Sequence, residues 1–110
     1  MDVVIRSSAL RSACNDSRKG LRKFGEKRFM ILRRRLDDLA ASNTMAEIPF
    51  TAGCHPLRGS RAGQYAINLD GAWRLVFRPA NDPLPKHEAG GIDLKRVTMI
   101  EVLEVTDYHG

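Results

Sequence analysis

Cysteine is scarce in this chain. Cys14 and Cys54 stand forty positions apart with no C-x-x-C spacing, so neither a zinc motif nor a redox motif is indicated. Two reduced thiols are expected, with Cys14 partly buried on a helix. A metal held by Cys54, His55, His87 and His109 would require these four residues from separate parts of the chain to converge, and none is expected. Nothing in the sequence lowers the pKa of Cys54, so it is not read as a nucleophile. Long apolar runs are also missing. Arg6 and Arg11 interrupt the first dozen residues, so no signal peptide is expected, and no stretch approaches a membrane span. The protein is expected in the cytoplasm. Internal repeats are absent, and 110 residues with 43% hydrophobic and 28% charged side chains fit one domain, 1–110, large enough for a core without staples.

The first half is poor in acid. Residues 1–50 hold 11 Lys or Arg against 6 Asp or Glu, whereas residues 51–110 hold 7 against 7, so the net charge of +5 resides in the first half. Between Arg18 and Arg35 stand nine basic side chains and one acid, Glu26. Such a stripe suits a polyanion or an acidic partner; a solvated helix face is the competing explanation.

Val3, Val4 and Ile5 predict an N-terminal strand, and Ser7 or Ser8 an N-cap for a short helix through about Asn15. From Ser17 to about Ala41, Leu21, Phe24, Ile31, Leu32, Leu36 and Leu39 recur at helical spacing, with Lys19, Arg22, Lys23, Lys27, Arg33 and Arg34 on the other side. Arg28 and Arg35 fall within the apolar stripe, as boundary positions with snorkelling stems. Phe29 and Met30 fall on the basic face, where an exposed pair would mark a protein contact. Gly20 and Gly25 weaken the helix and allow its first turns to form a separate one.

Beyond Pro49 the period changes. Tyr65, Ile67 and Leu69 alternate with small or polar residues, Asp70-Gly71 gives a hairpin signal, and Trp73, Leu75 and Phe77 alternate with Arg74, Val76 and Arg78. Arg74 and Arg78 therefore share one sheet face, opposite Trp73. Three prolines and two glycines within 79–95 predict a long irregular loop. The run 96–105, apolar on both parities, predicts a central strand. The expected class is α+β, with an N-terminal strand and two helices packed on one face of a twisted, mainly antiparallel sheet.

The chemistry-bearing residues cluster late. Metal-free RNA cleavage needs a base for the ribose 2′-hydroxyl, an acid for the departing 5′-oxygen and cations around the phosphate. Histidine serves either proton role; arginine cannot act as a base but matches a phosphate. Arg58 and Arg74 are thus candidate clamps, and His55 and His109 candidate proton carriers. Asp107 would orient an imidazole or act as base, and Tyr108 would stack on a nucleobase or donate a hydrogen bond. Singly, each has a plainer explanation: a turn histidine, an ion-paired arginine, a frayed end.

Taken in order, His55-Pro-Leu-Arg-Gly59 with Arg61, Gly63, Tyr65 and Ile67, then Trp73-Arg74-Leu75-Val76-Phe77, then Asp107-Tyr108-His109, the motifs resemble the HigB branch of the RelE/ParE toxin superfamily. The close match covers about half the chain. The resemblance implies a compact RelE-like fold and a toxin of a type II toxin-antitoxin system: an mRNA interferase that enters the ribosome and cuts mRNA without a cofactor. It implies an active-site rim from His55 and Arg58, a phosphate clamp from Arg74, and a catalytic edge from Asp107, Tyr108 and His109. The ribosome and mRNA would then meet Lys19, Arg22, Lys23, Lys27, Arg33, Arg34, Arg61 and Arg78. The implied partner is a cognate antitoxin, a helix-turn-helix protein, holding a monomeric toxin within a larger complex; no membrane is involved. Arg58 replaces the lysine common at that position, and the 79–95 loop is longer than usual. Two other readings are a ParE-like topoisomerase poison and a non-catalytic module binding nucleic acid or an antitoxin.

Overall fold

A computed structural model describes residues 1–107. Strand β1 (Asp2–Val4) leads into helices α1 (Ser8–Asn15), α2 (Ser17–Phe24) and α3 (Glu26–Ala41). The remaining strands follow: β2 (His55–Pro56), β3 (Tyr65–Asn68), β4 (Trp73–Pro79) and β5 (Met99–Asp107). The helix starts are written locally. Ser7 caps α1 by accepting from the Leu10 N–H, and Asp16 caps α2 by accepting from the N–H groups of Arg18 and Lys19, which satisfies donors otherwise left open in a first turn.

The helix expected over 17–41 breaks at Gly25. With φ at +81°, this residue takes a backbone that side chains disfavour, and it separates α2 from α3. The break re-aims the faces. Leu21, in the apolar stripe of a continuous helix, is exposed, whereas Phe29 is buried at 3% exposure. Of the proposed exposed pair, only Met30 faces solvent. Gly20 explains where the Phe29 ring goes: a Cβ there would come within 2.1 Å of Phe29 Cε1.

The sheet runs β1-β5-β4-β3-β2, with β1 parallel to β5 and every other pair antiparallel. Leu75, Phe77, Ile67, Ile100 and Val102 meet Leu10, Phe24, Phe29, Leu32 and Leu39 in the main core, so the helices cover one face. This is the expected α+β class, with the long helix divided. β5 is central, as its two-sided apolar pattern predicts, although it begins at Met99 after a short 3-10 turn over Leu94–Arg96.

The other face, here called outer, holds a small cluster of Leu57, Ala66, Val76 and Leu103. Arg28 and Arg35 occupy the boundary positions expected of them. Arg28 binds Asp70 through two hydrogen bonds of 2.9 and 3.1 Å and stacks 4.0 Å above the Trp73 ring; Arg35 donates to the Asn68 carbonyl at 3.1 Å.

Residues 80–98 form the long connection, and it is internally tied. Asn81 accepts from the Thr98 and Met99 N–H groups, Arg96 donates to Asp93 and to the Lys86 carbonyl, and Val97 is fully buried. Among the described residues no helix is long and apolar enough to cross a membrane.

Candidate active face

Strand pairing decides which side chains share a face, because directly opposed residues in an antiparallel pair point the same way. His55 pairs with Ala66, Ala66 with Val76, and Val76 with Glu104; Asn68 pairs with Arg74, and Arg74 with Thr106; Arg78 pairs with Glu101. His55, Arg74 and Arg78 therefore lie on the outer face, as the alternation in β4 implies for its two arginines. Trp73 pairs with Asp107 on the helix-covered side.

The pairing slips between Val76 and Phe77: Val76 faces Glu104, Phe77 faces Val102, and Leu103 is skipped. This bulge has a chemical consequence. In a regular strand Glu101 and Glu104, three positions apart, would point to opposite faces; the extra residue puts both on the outer one.

The carboxylates take up arginines. Arg78 donates from Nε at 3.0 Å and Nη2 at 2.7 Å to Glu101 Oε1, and Arg6 Nε lies 3.4 Å from the same oxygen. Arg61, at the end of the short turn over Gly59–Arg61, pairs with Glu104 and also donates to Gln64. Arg58 begins that turn and is exposed. Arg74 differs from both paired arginines: its Nη1 donates to the carbonyls of Gly71 and Trp73, each at 2.9 Å. Those bonds orient the guanidinium without cancelling its charge.

His55 stands exposed on the edge strand with Nδ1 3.0 Å from the Gly53 carbonyl oxygen. It also borders an open groove of about 610 Å³ lined by Met45, Phe50, Cys54, Tyr65 and Leu94. The groove is largely apolar. Burial pushes the Cys54 thiol up to about 11, so it stays protonated near neutral pH, as expected of a thiol with no activating neighbour. Burial likewise raises the Tyr65 phenol, with Cys54 adding to it, and the Tyr65 ring stacks on Phe77.

Of the candidate catalytic residues, His55 and Arg74 share the outer face, with Arg58 at the turn beside it. Asp107 ends β5 one residue past Thr106 and is exposed. Tyr108 and His109 lie outside the described residues. The candidate polyanion-binding residues separate into two groups. Lys19, Arg22 and Lys23 on α2 and Lys27, Arg33 and Arg34 on α3 are all exposed, on the layer opposite the outer face; Arg61 and Arg78 are on the outer face itself. Sequence reasoning missed Arg6, Glu101 and Glu104. The signal for the two acids was their interruption of the apolar run 99–105, but their common face depends on the bulge. No family model matches the chain, and no curated protein matches it.

Proposed function

We propose that this protein is a HigB-type toxin, an endoribonuclease that cleaves mRNA on the ribosome in the cytoplasm and is held inactive by a helix-turn-helix antitoxin. One observation carries the reading: the sheet face away from the helices bears both a histidine and an oriented arginine that has no carboxylate partner among the described residues, with a turn bearing Arg58 at its side. The substrate lies across this face with its scissile phosphate at Arg74. A proton leaves the ribose 2′-hydroxyl, the 2′-oxygen attacks the adjacent phosphorus, and the bond to the 5′-oxygen breaks as that oxygen is protonated, giving a 2′,3′-cyclic phosphate and a 5′-hydroxyl. His55 and His109 share the two proton transfers, Tyr108 stacks on or hydrogen-bonds the substrate, and Arg58 and Arg74 stabilise charge on the phosphoryl oxygens; Asp107, turned to the helix-covered side by its pairing with Trp73, takes no proton on this face. The exposed cations of α2 and α3, on the opposite layer, meet ribosomal RNA, which binds through summed phosphate contacts. Together the two faces let the protein bridge the ribosome and the message.

The test is cleavage of mRNA on programmed ribosomes by the purified protein, compared with the same transcript free in solution. Much faster cleavage on ribosomes is expected, because positioning then comes from the ribosome. Arg74→Ala is expected to lose roughly 10²–10³-fold, the scale of one transition-state donor, and His109→Ala to lose activity as well. Equal rates on free RNA, or folded variants as active as the parent, refute the assignment. Binding without cleavage would favour the non-catalytic module, and topoisomerase inhibition without cleavage the poison.

A further inference from the structure

Arg6, Arg78 and Glu101 form a unit of which the cleavage reading uses only Arg78, as one of many RNA contacts, and gives no role to Arg6 or Glu101. Glu101 comes from the central strand and its side chain is only 10% exposed, whereas the Arg6 and Arg78 side chains, anchored on the same carboxylate oxygen, are 65% and 52% exposed. The acid is thus sunk in the sheet and the cations stand above it. One charge is cancelled and one remains. Arg78 spends Nε and Nη2 in hydrogen bonds to Glu101, and Arg6 approaches the same oxygen with Nε at 3.4 Å as an ion pair without a hydrogen bond, so among the described residues Nη1 of Arg78 and both Nη groups of Arg6 have no protein partner. Two guanidinium groups held side by side with donors to spare match a phosphate, whose oxygens accept from paired N–H groups.

This unit lies away from Arg74. Arg74 and Arg78 are four residues apart on one face of β4, about 13 Å at the rise of a strand, and their guanidinium groups are held by different partners, Arg74 by the Gly71 and Trp73 carbonyls and Arg78 by Glu101, so they do not share one phosphate as held. We propose that Arg6 and Arg78, pinned by Glu101, are a second phosphate site, which binds a backbone phosphate flanking the one at Arg74. The inference rests on the RNA-cleaving reading, since that reading supplies the strand running along the face. Glu101 is a positioning residue here: it touches no substrate and acts by fixing the two arginines before the strand arrives, so that less side-chain freedom is lost on binding.

A labelled single-stranded oligoribonucleotide with every ribose 2′-O-methylated cannot be cut and serves as the probe, with binding measured by anisotropy across a salt series. Arg6→Gln with Arg78→Gln is expected to reduce the slope of log affinity against log salt by roughly 0.7–1.4, corresponding to one or two single-strand phosphate contacts. Glutamine at both positions keeps a donor within reach of the Glu101 carboxylate, and circular dichroism confirms that the variant is folded before its slope is scored. Glu101→Gln separates a built site from diffuse attraction. It makes the face one charge more positive, so unspecific attraction predicts tighter binding, whereas loss of the pinning predicts binding weaker by about three-fold or more near physiological salt. An unchanged slope in the arginine double variant, tighter binding by Glu101→Gln, or no binding by the parent would overturn the site. If Glu101→Gln does not fold, the arginine variant decides alone. Ribosome-dependent cleavage by the parent is scored separately: a parent that cleaves with an unchanged slope in the double variant loses only this site, whereas a parent that does not cleave loses the function on which it rests.

Discussion

Arg28→Met is the most informative perturbation of the scaffold behind the outer face. Arg28 holds Asp70 at the tip of the β3–β4 hairpin by two parallel hydrogen bonds and covers the Trp73 ring. One residue further on, Arg74 is oriented partly by the carbonyl of Gly71 in the same turn. Methionine keeps an apolar stem over the indole but loses the fork. The Arg28 and Asp70 side chains are 24% and 17% exposed, which places the pair between surface ion pairs at about 0–1 kcal/mol and buried ones whose disruption costs about 3–5 kcal/mol. About 2 kcal/mol from the pair and about 0.5–1 kcal/mol from the stack give an expected loss of about 2–3 kcal/mol. For a domain of this size that lowers Tm by roughly 10–15 °C.

The pair also has a pH signature. Burial alone would push the Asp70 carboxyl up, but the hydrogen bonds from Arg28 and from its own turn, with the charges of Arg28 and Lys27, outweigh it and hold the carboxyl below its usual value. A carboxyl depressed in the folded state stabilises the fold above its unfolded pKa, near 4, and that stability is lost as pH falls through the lower folded value. Urea unfolding of the parent, Arg28→Met, Asp70→Asn and the double variant should therefore give a coupling of about 1–2 kcal/mol at pH 7 that fades in acid below pH 4. Coupling under about 0.5 kcal/mol at pH 7, or coupling that persists undiminished in strong acid, would refute the reasoning.

Two further outcomes follow from particular atoms. Gly20→Ala should gain helix propensity of about 1 kcal/mol yet destabilise overall by about 1–2 kcal/mol, since the new Cβ would fall 2.1 Å from Phe29 Cε1 and 2.6 Å from the Ala13 carbonyl oxygen; a raised urea midpoint would show that Phe29 is not seated there. Arg58→Lys should keep most ribosome-dependent cleavage while Arg58→Ala loses on the order of 10²-fold; single-turnover rates across pH check this, and a clearly faster lysine variant with a new alkaline limb would mean that the position donates a proton.

What was legible in the sequence was what depends on neighbours within one element. The Asp70-Gly71 turn, the parity that separates Arg74 and Arg78 from Trp73, the two-sided β5 and the boundary roles of Arg28 and Arg35 all follow from periods of two or 3.6 residues. What was hidden depends on a break in a period. Gly20 and Gly25 signalled that the first turns could form a separate helix, but not which glycine ends it or how the faces turn there, so the stripe drawn through 17–41 predicts burial for Leu21, which is exposed, and exposure for Phe29, which is buried. The bulge at Leu103 interrupts the strand count, so no alternation argument places Glu101 and Glu104 on one face. The loop over 79–95 misled differently: its prolines and glycines correctly exclude regular structure, but the bonds of Asn81 and Asp93 that tie it down are made by side chains to partners several residues away.

The placement of the two glutamates bears on which arginine carries the chemistry. A cation that must stabilise charge appearing only in a transition state loses effect when a carboxylate already faces it, because the developing charge then meets a neutral pair. Arg61 and Arg78 each face such a carboxylate, and only the Arg78 pair, with Arg6 on the same carboxylate, keeps a net positive charge suited to holding a phosphate that does not change during the reaction. Arg74, bonded only to carbonyls among the described residues, keeps its whole charge and a fixed direction at no electrostatic cost. If the proposed cleavage holds, the placement that puts Arg61 and Arg78 beside acids while leaving Arg74 opposite Thr106 would suit Arg78 to binding and Arg74 to the clamp, a division that their identical side chains could not make by themselves.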